Sequence, residues 1–196
     1  MQLTSVILAA GYSSRMGSDK AFLKINDKTV LNTIIDKLLP VSQNIVIVSG
    51  NNNKILQDSM AQHCLSFIHN THPEQGMFYS LKLIAMQNLP GTHFLIHLID
   101  QPFIKYSTYR KLAFAIDNQH LVFMPNIEAQ KRSGHPIIIT KSVLKMIKIA
   151  PLNSNLKQVI KSLPAEALLR VPVDDMNILD NINTPEQFAK KIKAQG

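Results

Sequence analysis

The segment from Leu8 to Lys20 carries the strongest chemical signal in the sequence, because it places small residues and fixed cations directly after a short apolar run. The small side chains of Ala9–Gly11 let the backbone approach a ligand closely, and consecutive N–H groups in such a loop can hold phosphate oxygens. Arg15 and Lys20 supply positive charge for the same oxygens. The segment therefore predicts a polyphosphate-binding loop.

The spacing within this loop excludes two common nucleotide-binding motifs. A Walker loop needs Lys-Ser or Lys-Thr after its final glycine, and the dinucleotide fingerprint needs three glycines at fixed intervals. Neither pattern is present between Leu8 and Lys20. A generic kinase or dehydrogenase is therefore disfavoured.

A carboxylate follows a second apolar run, His93–Ile99, in the order Leu98-Ile99-Asp100-Gln101-Pro102. Mg²⁺ prefers one or two carboxylates together with phosphate oxygens and water, so Asp100 is a candidate ligand for the metal that accompanies a triphosphate. In open parallel sheets, ligands bind beyond the carboxyl ends of the strands, where both Asp100 and the loop are expected.

These groups suit nucleotidyl transfer. An acceptor phosphate can attack the α-phosphorus of a nucleoside triphosphate while pyrophosphate leaves, and positioning plus charge neutralisation suffice for this reaction. Asp100 would hold Mg²⁺ against the phosphates, whereas Arg15, Lys20 and loop amides would stabilise the developing negative charge. No enzyme nucleophile is required.

Composition is that of an ordinary globular protein. The chain has 196 residues, 45% of them hydrophobic, and a formal net charge of +8, which suits anionic partners but does not identify them. Lysines are spread along the chain without an arginine-rich run, so we expect no nucleic-acid surface. No stretch reaches the ~18 apolar residues of a membrane span, and the lone Cys64 cannot form an internal disulfide. These features indicate a cytoplasmic protein that binds neither nucleic acid nor membrane.

Short apolar runs alternate with segments of helical periodicity, which predicts a mostly parallel sheet with helices on both faces. Threonine and proline at the start of the last helix suit its cap and first turn. The predicted strands are Ser5–Leu8, Ile45–Ser49, Leu65–His69, His93–Ile99, Leu121–Met124, Ile137–Ile139 and Leu168–Val173. The predicted helices are Val30–Leu39, Lys54–Gln62, Met77–Asn88, Ser107–Asp117, Ser142–Ile149, Leu156–Leu163 and one beginning at Thr184–Pro185.

Leu8–Lys20 resembles the motif Leu-Ala-Ala-Gly-x-Ser-x-Arg-Met-Gly-x-x-Lys of the molybdenum cofactor nucleotidylyltransferases. The guanylyl branch of that family usually has Leu-Ala-Gly-Gly at this place, so Ala10 favours the cytidylyl branch and CTP. Asn70–Leu81 is similar to the cytidylyl segment Asn…Gly-Met-x-x-Ser-Leu, which lies beside the nucleotide in that family. Further similarities are Asp100-Gln101-Pro102, Gly134-His135-Pro136 and Asn183-Thr184-Pro185-Glu186, so the resemblance covers nearly the whole chain.

The resemblance implies a Rossmann-like three-layer α/β/α fold of the nucleotide-diphospho-sugar transferase type. It also implies one NTP-transferase domain over residues 1–196, with a nucleotide-binding half at about 1–105 and an acceptor-binding half at about 106–196. The expected catalytic residues are Arg15, Lys20 and Asp100, with Mg²⁺ held by Asp100 and Asn183. The residues expected at the nucleotide are Leu8, Ala9, Ala10, Gly11, Ser13, Ser14, Arg15, Lys20, Asn70, Gly76 and Ser80, and those expected at the acceptor are Gly134, His135 and Pro136.

Three departures from the family pattern bear on turnover and acceptor identity. Ile99 replaces the glycine that usually precedes the aspartate, and Asn181-Ile182-Asn183 has amides where the cytidylyl branch has Asp-x-Asp. The guanylyl branch carries a similar Asn-x-Asn, and an amide oxygen still ligates Mg²⁺ without adding negative charge. Leu152–Gln158 lacks the glycines and arginine of the Gly-Asp-x-Gly-x-Arg stretch that is thought to meet the acceptor.

The resulting hypothesis is a Mg²⁺-dependent transfer of CMP from CTP to molybdopterin with release of pyrophosphate, and with a molybdoenzyme or its chaperone as a protein partner. One alternative is guanylyl or other nucleotidyl transfer to a different phosphorylated acceptor, such as a sugar 1-phosphate. Another is a nucleotide-binding accessory protein that has lost turnover.

Overall fold

A computed structural model describes residues 2–12, 14–60 and 65–194. Within these residues, a central sheet of eight strands runs through the molecule, and a separate two-stranded hairpin follows the segment Leu8–Lys20, which we call the nucleotide loop. The strands are β1 Leu3–Ala9, β2 Lys24–Ile25, β3 Lys28–Thr29, β4 Asn44–Ser49, β5 Ser66–His69, β6 His93–Leu98, β7 Val122–Ile127, β8 Arg132–Ser133, β9 Ile137–Thr140 and β10 Leu168–Pro172.

In the part of the chain that the structure describes, seven α-helices connect and flank these strands. Thr29 and Thr184 cap the first and seventh helices with their hydroxyl groups, and Asn155 caps the sixth with its side-chain amide oxygen, as expected for these residue types. The helices are α1 Val30–Leu38, α2 Asn53–Ser59, α3 Met77–Met86, α4 Tyr106–Phe114, α5 Lys141–Ile149, α6 Leu156–Lys161 and α7 Pro185–Lys193.

The strand order is β10-β7-β9-β6-β1-β4-β5, with β8 paired to the end of β7. Strand β1 pairs in parallel with both β4 and β6, and β4 pairs in parallel with β5. Strand β9 is antiparallel to both of its neighbours. The predicted mostly parallel sheet is confirmed, and the carboxyl ends of β1, β4, β5 and β6 meet at one edge.

Helices cover both faces of the sheet and give the expected three layers. Residues of α1, α2, α4 and α7 share one hydrophobic cluster with one face of the sheet, and residues of α3, α5 and α6 share a second cluster with the other face. Every residue of β1 is buried, including Thr4 and Ser5. A strand buried on both sides must be apolar nearly throughout, which explains why this run stands out in the sequence.

Each predicted strand and helix is present, and the differences lie at their ends. Helix α3 ends at Met86 rather than Asn88, and α4 ends at Phe114 rather than Asp117. The predicted end of α2, Gln62, and Cys64 lie outside the described residues. The hairpin β2–β3 and several short 3-10 helices were not predicted, because elements of two to four residues have no measurable periodicity.

Strands from before and after residue 105 belong to the same sheet. Strand β9, which follows residue 105 in the chain, lies beside β6, which precedes it. The proposed division into nucleotide-binding and acceptor-binding halves stays a prediction. Within the described ranges, no helix has the length and apolar character needed to cross a membrane.

Candidate active site

A pocket of about 330 Å³ opens at the sheet edge where the parallel strands end. Its walls come from the ends of β1 and β6, the residue after β5, the first turn of α3 and the segment before α7. The lining residues are Leu8, Ala10, Gly11, Lys20, Asn70, Pro73, Gly76, Met77, Ser80, Leu98, Ile99, Asp100 and Asn181. The structure therefore brings together residues from the three predicted nucleotide and metal segments.

The nucleotide loop separates this pocket from a second one of about 390 Å³. Ala10 and Gly11 line both pockets, and Ser14 lines only the second. The side chain of Ala9 instead points into the hydrophobic core, so only its backbone faces the loop. Ser13, also predicted at the nucleotide, lies outside the described residues.

Asp19 and Asn52 hold the outer part of the loop in place. One carboxylate oxygen of Asp19 accepts a hydrogen bond from the backbone N–H of Ala21 at 2.9 Å, and the other accepts one from the amide nitrogen of Asn52. The Asn52 oxygen accepts in turn from the N–H of Gly50. A carboxylate that bridges two chain segments restricts their relative movement, and neither Asp19 nor Asn52 was predicted.

Lys20 and Asp100 form an ion pair at the floor of the pocket, with 3.7 Å between the Lys20 Nζ and Asp100 Oδ2 atoms. Both side chains are largely buried, and burial is the main cause of two opposite shifts. It raises the pKa of the Asp100 carboxyl and lowers the pKa of the Lys20 ammonium. Their mutual attraction opposes both shifts, and Arg15 lowers the Lys20 pKa further. Arg15 itself is exposed and lines neither pocket.

Asp100 Oδ1 fits the role of a metal ligand. This oxygen is buried, and no described residue donates a hydrogen bond to it. A buried carboxylate oxygen without a partner is costly, and a cation supplies the missing interaction. No cluster of three or more His, Cys, Asp or Glu side chains suited to a metal occurs within the described ranges. Asp100 is therefore a candidate ligand for a cation, and the identification of that cation as Mg²⁺ stays a prediction.

The other predicted metal ligand, Asn183, contacts Lys20. Its Oδ1 atom accepts a hydrogen bond from Lys20 Nζ at 2.9 Å. An amide oxygen has two lone pairs, so this bond leaves one for a cation. Asn183 therefore lies beside the Asp100–Lys20 pair as expected, and metal ligation by it stays a prediction.

Asn70 joins the end of β5 to the first turns of α3. It is completely buried, its Nδ2 atom donates to Ser80 Oγ at 2.9 Å, and its Oδ1 atom accepts from the His72 N–H at 2.8 Å. Gly76 precedes α3 with a φ of +80°, a backbone conformation that favours glycine. Asn70, Gly76 and Ser80 line the pocket and position the amino end of α3 at its wall, and their contact with a nucleotide stays a prediction.

The predicted acceptor residues lie beneath the site instead of in its lining. The Gly134 N–H donates to the Pro125 carbonyl, and the His135 N–H donates to the Ile178 carbonyl at 3.2 Å. A Cβ atom on Gly134 would lie 2.0 Å from the same Ile178 oxygen. Pro136 is buried at the start of β9. Contact of Gly134, His135 and Pro136 with an acceptor stays a prediction.

Three motifs that are distant in sequence meet at the Ile178 carbonyl oxygen. It accepts from the His135 N–H and from Gln101 Nε2 at 3.2 Å, and it lies in the segment that leads to Asn181–Asn183. We call the residues Gln101, Gly134, His135 and Ile178 the Ile178 junction. No sequence signal marks a backbone carbonyl for this role, so the junction was not predicted.

The divergent segment Leu152–Gln158 forms the connection between α5 and α6. Asn155 and Gln158 make a reciprocal capping box at the start of α6, in which each side chain accepts from the backbone N–H of the other. The side-chain oxygens of Asn155 and Gln158 therefore both accept hydrogen bonds from the backbone at the start of α6.

The sheet is mostly parallel, and the nucleotide loop and a lysine–carboxylate pair lie at its carboxyl edge. This arrangement is typical of a nucleotide-dependent transferase. A family model described as "MobA-like NTP transferase domain" matches residues 5–168. The chain belongs to that family and is a nucleotidyltransferase.

Two relatives match along almost their whole length. The molybdenum cofactor cytidylyltransferase of Escherichia coli (strain K12) is 28% identical over 184 residues, which cover 93% of this chain and 92% of the relative. The molybdenum cofactor guanylyltransferase of Xanthomonas euvesicatoria pv. vesicatoria (strain 85-10) is 24% identical over 196 residues, with 96% and 94% covered.

The fold is shared with a solved structure, that of Rv0371c from Mycobacterium tuberculosis H37Rv. It superposes with a TM-score of 0.80 at 19% identity and covers 98% of this chain and 99% of the other. A second structure of that protein, in complex with manganese, has a TM-score of 0.76, and 99% of this chain and 100% of the other are covered. The predicted fold class is thereby confirmed.

Proposed function

We propose that this chain is a molybdenum cofactor cytidylyltransferase, which transfers CMP from CTP to the phosphate of molybdopterin and releases pyrophosphate. The observation that carries the proposal is the buried Asp100–Lys20 pair at the end of the nucleotide loop, with a carboxylate oxygen available to a cation. Similarity to the E. coli cytidylyltransferase over nearly the whole chain supports the acceptor.

Ala10 supports CTP as the nucleotide. Ala10 lines both pockets, at the position where the guanylyl pattern has a glycine. Its side chain is 8% exposed and packs in the hydrophobic core, and its carbonyl packs closely against Gly50, since a Cβ atom at that glycine would lie 2.7 Å from the Ala10 oxygen. The support for CTP is therefore the residue pattern at this position of the loop, where an alanine replaces the guanylyl glycine.

The reaction requires positioning and charge stabilisation from this chain. An oxygen of the acceptor phosphate forms a bond to the α-phosphorus of CTP, and the bond from that phosphorus to the bridging oxygen breaks as pyrophosphate leaves. Lys20, Arg15 and the N–H groups of the loop stabilise the negative charge on the phosphates. Bound Mg²⁺ would neutralise phosphate charge, held by Asp100 and by the remaining lone pair of the Asn183 oxygen.

The acceptor side belongs to the second half of the chain in this proposal. Gly134, His135 and Pro136 support the floor of the site from below, and the finished cofactor passes to a molybdoenzyme or its chaperone in the cytoplasm. The support is the continuity of the sheet, in which β9 follows this motif and pairs with β6, the strand that precedes Asp100.

A second candidate keeps the chemistry and changes the acceptor. Asn155 and Gln158, in the segment that departs from the family pattern, are used in the capping box of α6. Recognition by that segment is therefore altered, which favours a different phosphorylated acceptor such as a sugar 1-phosphate.

The test is pyrophosphate release by the purified protein with Mg²⁺ and molybdopterin, with CTP compared to GTP. We expect release with CTP and a roughly hundredfold or greater loss in Asp100→Ala, since the metal contributes several kcal/mol to the transition state. Asp58→Ala on exposed α2 is the matched control and should keep full activity. Release only with GTP would contradict the nucleotide assignment, and release only with a sugar 1-phosphate would support the second candidate.

A further inference from the structure

Gln101 follows Asp100 in the chain, and its buried side chain contacts Asn181, a residue of the pocket wall. It is 3% exposed, and its Nε2 atom donates to the Ile178 carbonyl at 3.2 Å and to Asn181 Oδ1 at 2.8 Å. Asn181 is exposed and lines the pocket together with Asp100 and Lys20. A buried amide therefore contacts a residue that faces the substrate.

The partners determine which way both amides face. A backbone carbonyl only accepts hydrogen bonds, so the Gln101 atom at Ile178 must be the nitrogen. The second hydrogen of that nitrogen points to Asn181, and the Asn181 atom that meets it must be the oxygen. The orientation of Asn181 follows from hydrogen-bond polarity alone.

The opposite end of the Asn181 amide is then its NH₂ group. No hydrogen bond joins this group to another residue in the part of the chain that the structure describes. The segment is held in place, because the next backbone N–H, that of Ile182, donates to the Asp100 carbonyl at 2.8 Å. Asn181 thus presents a hydrogen-bond donor at the pocket. The hydrogen bond between Ile182 and Asp100 fixes the backbone beside it.

We infer that Asn181 binds an anionic phosphate oxygen of the substrate as a hydrogen-bond donor, and that Gln101 is the positioning residue that keeps its NH₂ group toward the pocket. The inference rests on the proposed function, which places phosphates in this pocket. The oxygen belongs either to the nucleoside triphosphate or to the phosphorylated acceptor.

The donor role differs from that of an aspartate at the same position. A carboxylate would present only acceptor oxygens, which attract a cation and repel phosphate. With its oxygen bonded to Gln101, Asn181 directs its NH₂ group rather than its oxygen at the pocket, and there it attracts phosphate instead of a cation. Metal affinity should therefore depend on Asp100 and be insensitive to removal of the Asn181 side chain.

Three measurements on the full chain test this assignment: the Kd for Mn²⁺ alone, the Kd for CTP without metal, and the KM for molybdopterin. Asn181→Ala should leave Mn²⁺ binding unchanged and weaken one of the two phosphate measurements by roughly tenfold, the effect of a lost charged hydrogen bond. The measurement that changes identifies the phosphate. Asn181→Asp keeps the bond from Gln101, and it should weaken phosphate binding further and tighten Mn²⁺ binding.

Gln101→Met tests the positioning role, and Gln101→Glu, whose carboxylate cannot donate, is a second variant in case the first does not fold. Either should reproduce the phosphate effect of Asn181→Ala at an unchanged Kd for Mn²⁺. Either should also add nothing to the loss of phosphate binding when combined with Asn181→Ala, because Gln101 affects the phosphate only through Asn181. A purely structural role would instead produce an additional loss in the double variant.

Two results would overturn the inference: a loss of Mn²⁺ affinity in Asn181→Ala comparable to that in Asp100→Ala, or unchanged phosphate binding in both measurements. An effect of Asn181→Ala that neither Gln101 variant reproduces would overturn the positioning role. Failure of the proposed function is separate, since it would show as absent CTP binding or absent pyrophosphate release in the parent protein.

Discussion

The nucleotide loop and the Ile178 junction both contain a glycine from a family motif, but the two glycines have opposite surroundings. Gly11 has no atom within 4 Å of the position that a Cβ would take, and it lines both pockets. A Cβ on Gly134 would lie 2.0 Å from the Ile178 carbonyl oxygen and 2.7 Å from its carbon. One region is open to a ligand, whereas the other is closed by the protein itself.

This contrast teaches that a motif residue can serve the ligand directly or serve the packing that supports the site. At the loop, the absence of a side chain leaves room for substrate. At the junction, it lets three segments approach one carbonyl oxygen. Substitutions should therefore separate the two regions, with binding lost at the loop and stability lost at the junction.

The largest expected effect is that of Gly134→Ala. The new methyl group would collide with backbone, which cannot move aside as a flexible side chain can, so we expect a loss of about 3 kcal/mol in the free energy of unfolding. Urea denaturation measures this loss, and failure to obtain folded protein would be the extreme form of the same result.

Gly11→Ala is the matched control, because it makes the same chemical change in open space. Its free energy of unfolding should stay within about 0.5 kcal/mol of the parent, while its affinity for CTP should fall by about tenfold or more as the methyl group displaces phosphate. Equal stability losses in the two variants would contradict the comparison.

A smaller effect is expected for Asp175→Asn, which changes the support of the junction. Asp175 is 1% exposed, and its two oxygens accept from the N–H groups of Lys105 and Asn177 and from the side chains of Thr108 and Asn177. The substitution turns one acceptor into a donor that faces donors. We expect a loss of about 1–3 kcal/mol in the free energy of unfolding.

The neighbouring Asp174 provides the control for this prediction. Its side chain is exposed, and within the described part of the chain its backbone carbonyl, rather than its carboxylate, accepts a hydrogen bond, from Lys105 Nζ. Asp174→Asn should leave the unfolding midpoint unchanged. A loss in Asp174→Asn as large as in Asp175→Asn would show that charge, rather than the hydrogen bonds of Asp175, causes the effect.

The effect that is smallest at neutral pH concerns His97, whose contribution to stability changes only in acid. His97 is completely buried against Tyr109, with 2.8 Å between its Nε2 atom and the tyrosine hydroxyl. Burial, with smaller contributions from His135 and Lys37, lowers the pKa of His97 from 6.5 to about 3. Between these values the unfolded chain binds a proton that the folded chain does not. The contribution of this group to stability is therefore complete above pH 6.5 and declines as the pH falls toward 3.

Urea denaturation at pH 7.5, 6.5, 5 and 4 tests this expectation with His97→Gln, which cannot titrate. The parent should lose up to about 1.4 kcal/mol per pH unit more than the variant below pH 6.5. His69→Gln, at an exposed histidine on the edge strand β5, should keep the slope of the parent. Parallel pH dependences for parent and His97→Gln would refute the prediction.

Much of the fold was predictable because its signals are local. The buried strand β1 is apolar nearly throughout, α1 and α5 show helical periodicity, and Thr184–Pro185 marks the start of α7. The pocket residues Gly11, Lys20 and Asp100 were also predictable, since they follow strands whose carboxyl ends meet at one edge.

The remaining features depend on partners that are distant in sequence. Asn52 contacts Asp19, and Gln101 contacts Asn181 and the carbonyl of Ile178. Nothing in the neighbourhood of these residues indicates which atom they will meet. The antiparallel direction of β9 is undetermined for the same reason, because a run of three isoleucines is compatible with either direction.

The sequence by itself determined the order of strands and helices, the nucleotide loop and the carboxylate, because periodicity, small residues and charge act over a few neighbouring positions. Only the tertiary structure decided that Gly134 and His135 lie beneath the site, that Ala9 faces the core and that Asn181 presents its nitrogen to the pocket. Each of these depends on which atoms of remote segments come within hydrogen-bond or van der Waals distance, and that is set when the layers pack together.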